Sequence, residues 1–220
     1  MSQLIIGFTT EGTTDTRFLE SVIQRTFELI AFDCDQDVEV LPLITISKNA
    51  GPFVEQIMQG SEMAFDQGVM VLCVHTDADD NSDRAVFENK ILPLMEEMQN
   101  HKNDDFCSNL VPVVPVHMSE AWMLADIELI KSEIGTDLRN FDLGLHRAPE
   151  TIADPKYTIE EAIRIARQNL PKKRRNDLTI GELYQPIGQK LGLDTLERLP
   201  SFQKFYQAVR QAYRTIKYLH

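Results

Sequence analysis

Apolar residues in the first half of the chain fall alternately into short runs and helical stripes. Residues 69–75, VMVLCVH, are apolar without alternation, the pattern of a strand covered on both faces within a parallel sheet. That run stops abruptly at Thr76-Asp77-Ala78-Asp79-Asp80. Ahead of it, residues 4–8 predict a first strand, and Phe18, Leu19, Val22, Ile23, Phe27 and Ile30 recur at helical spacing from Thr16 onward. Thr14 or Asp15 is the expected cap of that helix. Residues 38–46 predict a second strand, and Phe53, Ile57 and Met58 a second helix that ends near Gly68. Val86, Ile91, Leu94, Met95 and Met98 mark a third helix, with Pro93 as an expected kink. Residues 110–117 predict a fourth strand, which Pro112 and Pro115 push toward a sheet edge.

This alternation of strand and helix predicts an α/β fold: a mostly parallel four-stranded sheet with helices on both faces. Beyond His117 the pattern is helical. Ser119 is a plausible cap for the stretch SEAWMLADIELIKSEIG, and three amphipathic stretches follow at residues 159–170, 180–191 and 201–219. The expected organisation is an α/β core over residues 1–133 with a helical C-terminal extension, residues 134–220, packed on it.

Charge changes the picture more than overall composition does. The 220 residues carry a net charge of −12, which on its own disfavours a nucleic-acid partner. Residues 1–150, however, hold 9 basic against 27 acidic side chains, a net −18, whereas residues 151–220 carry a net +6. Such asymmetry predicts different partners for the two parts. The densest basic run, Lys172-Lys173-Arg174-Arg175, is either a phosphate-attracting patch or a solvated loop. Three cysteines without zinc spacing argue against a disulfide framework. No apolar run is long enough to span a bilayer, and the N-terminus lacks a secretory pattern. A cytoplasmic protein that does not enter the membrane is expected.

The candidate chemistry is acidic. Asp77 and Asp79 end the central strand, and Glu11 and Asp15 follow the first. In a parallel sheet both ends lie on one edge, where open α/β sheets bind ligands. Crowded carboxylates repel one another unless a cation or a shared proton lies between them. Lys48, after the second strand, is either a cation for phosphate or transition-state charge or an ordinary solvated lysine. His75 and His117 are structural histidines or general bases. Glu120 is a metal ligand or a carboxylate at a helix start. No Walker A sequence occurs, so an ATP-driven step requires a partner.

Glu11-Gly12 after the first strand and Asp77-x-Asp79 after a later one resemble the Toprim catalytic domain of topoisomerases, primases and overcoming-lysogenization-defect (OLD) nucleases. Two further elements, Glu120-Ala121-Trp122-Met123-Leu124-Ala125-Asp126 and Pro200-Ser201-Phe202-Gln203-Lys204-Phe205, are similar to small stand-alone bacterial Toprim proteins. The resemblance implies a Toprim-like, Rossmann-like fold and a Mg²⁺- or Mn²⁺-dependent nuclease. It implies that Glu11, Asp77 and Asp79 hold a first metal, with Asp15 and Glu120 available for a second. It also implies DNA or RNA as partner, a separately encoded ATPase, and a setting in anti-phage defence or a mobile element. Two alternatives stand beside it: a non-catalytic scaffold that binds nucleic acid or the ATPase, and a phosphatase-like hydrolase with Asp77 as a covalent nucleophile.

Overall fold

Four parallel strands carry the structure, and their order decides where a ligand can sit. The computed structural model describes residues 2–10, 12–101 and 105–220. Strands β1 (Ser2–Leu4), β2 (Ile6–Thr9), β3 (Val38–Val40), β4 (Ile44–Thr45), β5 (Val71–His75) and β6 (Leu110–Val113) form two parallel sheets, β1-β3 and β4-β2-β5-β6. From β2 the chain passes outward to β4; from β5 it passes outward to β6, on the opposite side. The crevice at the carboxyl ends of β2 and β5 is therefore a topological switch point, the usual ligand position in an open α/β sheet.

The two faces of the sheet bury different residues, as the side-chain period of two requires. Ile6, Phe8, Val71, Cys73, Val111 and Val113 face helix α1 (Thr13–Ala31), while Leu72 and Val74 face α2 (Phe53–Asp66). Gly7 faces the α2 side, where a Cβ would lie 3.0 Å from the Leu72 and Val69 side chains, so a larger residue would require those side chains to give by a few tenths of an ångström. After β5 come α3 (Arg84–Val86), a π turn over Phe87–Ile91, and α4 (Leu92–Asn100). The π turn stands immediately before the helix whose first turn contains Pro93, the residue expected to kink it. Proline cannot donate to the turn behind it, and the wider π turn absorbs the mismatch.

Two expected strands are each divided. Residues 4–8 split at Ile5, so that β1 pairs with β3 and β2 joins the main sheet. Residues 38–46 split at Leu41-Pro42-Leu43, where Pro42 has no N–H to offer a ladder. The fourth strand ends at Val113 and lies at the sheet edge, with Pro112 opposite Val74.

The remaining chain is helical: α5 (Glu120–Met123), α6 (Ile127–Ile134), α7 (Pro155–Arg167), α8 (Lys172–Arg175), α9 (Tyr184–Lys190), α10 (Leu193–Leu196) and α11 (Pro200–Thr215). Asp126 breaks the expected single helix between α5 and α6 by capping α6 through the Leu129 N–H. Phe202, Phe205, Val209 and Tyr213 of α11 share one apolar core with α1 and the sheet. The two sequence elements 120–126 and 200–205 meet in that core. The Trp122 indole N–H donates to Ser201 Oγ at 2.7 Å, and the Ser201 hydroxyl donates to Glu150. Among the described residues, no helix is long and apolar enough to cross a membrane.

Candidate metal centre

The ends of β5 and β6 are held together past the last ladder residues. Thr76 N–H donates to Val113 O, Ala78 N–H to Pro115 O, and Asp79 N–H to His117 O at 2.8 Å; His117 N–H returns to Asp80 O at 3.0 Å. This exchange requires positive φ at Asp79 (53°) and His117 (59°), an uncommon conformation for residues other than glycine. The loop that follows the central strand is thus pinned by backbone on one side.

Within this frame Asp15, His75 and Asp77 bring one ligand atom each to within 4.8 Å of one another. Asp15 belongs to the first turn of α1, whose helix begins at Thr13 with no side-chain cap. The expected capping role of Asp15 is therefore not observed: its Oδ1 accepts from the Ser119 hydroxyl at 2.7 Å instead. Ser119 also donates its backbone N–H to Asp77 Oδ1 at 3.0 Å, so one residue at the entry to α5 grips two carboxylates. The same hydroxyl lies 3.4 Å from Glu120 Oε2. Glu120 keeps only 5% of its exposure and accepts from the Tyr184 hydroxyl. Burial raises the Glu120 pKa; the Tyr184 bond opposes that shift, and neighbouring Asp15 and Asp77 add to it. Burial and Glu120 also push the Tyr184 phenol upward.

His75 is fully buried, with Nε2 3.2 Å from Asp77 Oδ1. With Nε2 donating, Nδ1 is left as an acceptor without a partner among the described residues. Lys48 reaches the same strand end, where its ammonium donates to the His75 carbonyl at 3.2 Å. Lys90, on the π turn, donates to Thr76 Oγ1 at 2.7 Å. Both ammonium groups lie near the Phe53 ring, at 6.0 and 5.5 Å from its centroid. Two ammonium groups are therefore bonded to His75 and Thr76, the residues that immediately precede Asp77.

Of the residues singled out in the sequence, Asp15, His75, Asp77, Glu120 and Lys48 come together here. Asp79 is exposed and, among the described residues, lies outside the converging group and is engaged through its backbone. Glu11 lies outside the described residues. Asp80 accepts from Asn81 N–H, and Asp83 takes a two-oxygen ion pair from Lys204 of α11, at 2.7 and 2.6 Å. Lys172, Lys173, Arg174 and Arg175 form the exposed turn α8. Sequence reasoning missed Tyr184 and Lys90, which no motif marks, and read Ser119 as a simple cap. The placement of Ser119 immediately before Glu120 was the only signal for its role.

The family model described as a domain of unknown function (DUF4276) matches residues 10–210 of the chain. No curated protein and no solved structure matches.

Proposed function

The chain belongs to the DUF4276 family, and on that premise we propose that it is a divalent-metal-dependent phosphodiester hydrolase, a Toprim-like nuclease acting on nucleic acid. The observation that carries this reading is the convergence of Asp15, His75 and Asp77 at the switch point of the sheet, with Glu120 joined to them through Ser119. The donor set fits the group: carboxylate oxygens suit hard cations such as Mg²⁺ or Mn²⁺. Asp15, Asp77 and Glu120 would hold the ion, with Glu11 as the further carboxylate that the resemblance calls for. Bound there, such an ion supplies charge stabilisation for a phosphoryl group and a more acidic water.

The chain's own groups supply the rest. Ser119 and His75 fix the rotamer of Asp77, as the outer partners of a metal-binding carboxylate do. Lys48 and Lys90 set positive charge beside the carboxylates, where a phosphate's negative charge would lie. Three free thiols, two of them buried, accord with a reducing compartment such as the cytoplasm.

One observation favours a second reading. Asp15 and Glu120 already accept hydrogen bonds from Ser119 and Tyr184, so the network is knit together by protein donors alone. That is what a non-catalytic scaffold for nucleic acid or a partner ATPase would need.

Incubating the protein with labelled single- and double-stranded DNA and RNA in Mg²⁺, Mn²⁺ or chelator separates the two. Cleavage is expected with metal only. Glu11→Gln and Asp77→Asn are expected to lower the rate on the order of 100-fold or more, and Asp79→Asn by less. Binding without cleavage under all conditions would establish the scaffold, and wild-type rates in Asp77→Asn would end the hydrolase reading.

A further inference from the structure

The basic C-terminal part of the chain contains a recess that the carboxylate centre does not use. It lies between α7, the turn α8 and the 3-10 turn Ile180–Glu182, with a volume of about 450 Å³. That falls within the range of about 300–1,000 Å³ typical of sites for small organic molecules. Ile163, Leu178 and Ile180 contribute apolar side chains to its lining, and Arg164, Arg167 and Arg175 are the basic residues among it. The segment from residue 155 to 182 carries seven basic and four acidic side chains in a chain of net charge −12. Positive charge is thus concentrated where the molecule as a whole is acidic.

The arginines are held from behind. Arg167 donates from both Nε and an Nη to Arg174 O, and Arg175 Nε donates to Leu170 O at 2.7 Å. Each bond fixes a guanidinium plane while using only part of its five-donor fork. Arg164 is already matched by Glu161, so the charge on offer is that of Arg167 and Arg175. Helix α7, one wall of the recess, packs against α5, whose Glu120 accepts from the Tyr184 hydroxyl. Thr179 and Ile180 lead in five residues to that same tyrosine.

We propose that this recess binds one nucleotide of a single-stranded nucleic acid, with a phosphate on Arg167 and Arg175 and the base against Ile163, Leu178 and Ile180. The inference rests on the hydrolase reading for its choice of polymer, and it deepens that reading by naming the strand state. A duplex keeps its bases stacked and offers a rigid backbone, whereas a single strand can turn one base into a pocket. Phosphates respond to the two arginines, and the uncharged base to the apolar surface. A strand seated here would pass from a positive entry to the carboxylates under Tyr184.

The test is binding measured in chelator, where cleavage plays no part. Fluorescence anisotropy would compare labelled single-stranded DNA, single-stranded RNA and a hairpin duplex. Arg167→Gln/Arg175→Gln keeps an amide donor for each backbone carbonyl while removing both charges. It is expected to weaken single-strand binding about 10-fold and to make the log–log salt slope shallower by about 0.7, the share of one phosphate. Leu178→Trp puts an indole on the floor, and the only native tryptophan, Trp122, is buried. Its fluorescence is expected to be quenched by the single strand and not by the duplex. Equal affinity of the double glutamine variant and wild type, no quenching in Leu178→Trp, or duplex bound as tightly as single strand would overturn the proposal. Loss of cleavage with this binding intact would overturn the hydrolase reading alone.

Discussion

Asp15 shows how far residue-scale reading reaches. A carboxylate next to the predicted start of an amphipathic helix is ordinarily a cap, and the sequence offers no means of seeing the competitor. Ser119 lies 104 positions away, and its hydroxyl takes the Asp15 carboxylate at 2.7 Å. The carboxylates at strand ends were legible from the abrupt stop of the central apolar run, whereas Tyr184 was not, because nothing local distinguishes it from a core aromatic. Glu120 gives the sharpest residue-scale prediction. Burial raises its pKa, so the folded state holds the proton more tightly than the unfolded chain. Its contribution to stability is therefore greatest below the ordinary carboxylate range and is lost as pH rises through the raised folded value. Glu120→Gln retains an acceptor for Tyr184 and carries no charge to bury. In chelator, thermal melts are expected to show the variant gaining on wild type as pH rises from 4 to 7. A constant difference would contradict the assigned cause.

At the scale of elements, strand and helix types followed from periodicity, and their boundaries did not. Pro42 divides one expected strand because it lacks a donor, and the π turn before Pro93 follows from the same missing N–H. Such interruptions depend on which neighbour a backbone group must reach, which a single sequence does not display. Packing of α1 on α9 is another case. A Cβ at Gly188 would lie 2.5 Å from the Phe18 carbonyl oxygen, and Arg25 binds the carbonyls of Gly188 and Leu191 at 2.9 and 2.8 Å. The helices touch backbone to backbone there. Gly188→Ala must push α9 away from α1, at a cost of about 1–3 kcal/mol. For a chain of this length that corresponds to a melting temperature lower by roughly 2–12 °C. A melt identical to wild type would show that α9 can shift freely. Because Tyr184 begins α9, the same variant tests whether that helix holds the tyrosine against Glu120.

At the scale of the molecule, the C-terminal helices form part of the frame of the centre. Lys204 of α11 holds the buried Asp83 beyond the Asp77–Asp80 loop, and Trp122 beside Glu120 is anchored through Ser201 to Glu150. The two sequence elements at 120–126 and 200–205 were legible as motifs, but their meeting in one core was not. Linear spacing carries no information about which helix returns to which strand. The charge asymmetry was legible from counting alone: the acidic part carries the proposed centre, and the basic part carries the turn α8 and the recess beside it.

We propose that the carboxylates at the ends of β2 and β5 hold a divalent cation. Titrating Mn²⁺ into the protein while following free Mn²⁺ by electron paramagnetic resonance tests it most directly, because it reads the ion and needs no substrate. Saturable binding is predicted for wild type, competed by Mg²⁺, and at least about 10-fold weaker in Asp77→Asn with an unchanged far-ultraviolet circular dichroism spectrum. Superimposable titrations of wild type and Asp77→Asn, or no saturable binding in wild type, would contradict it.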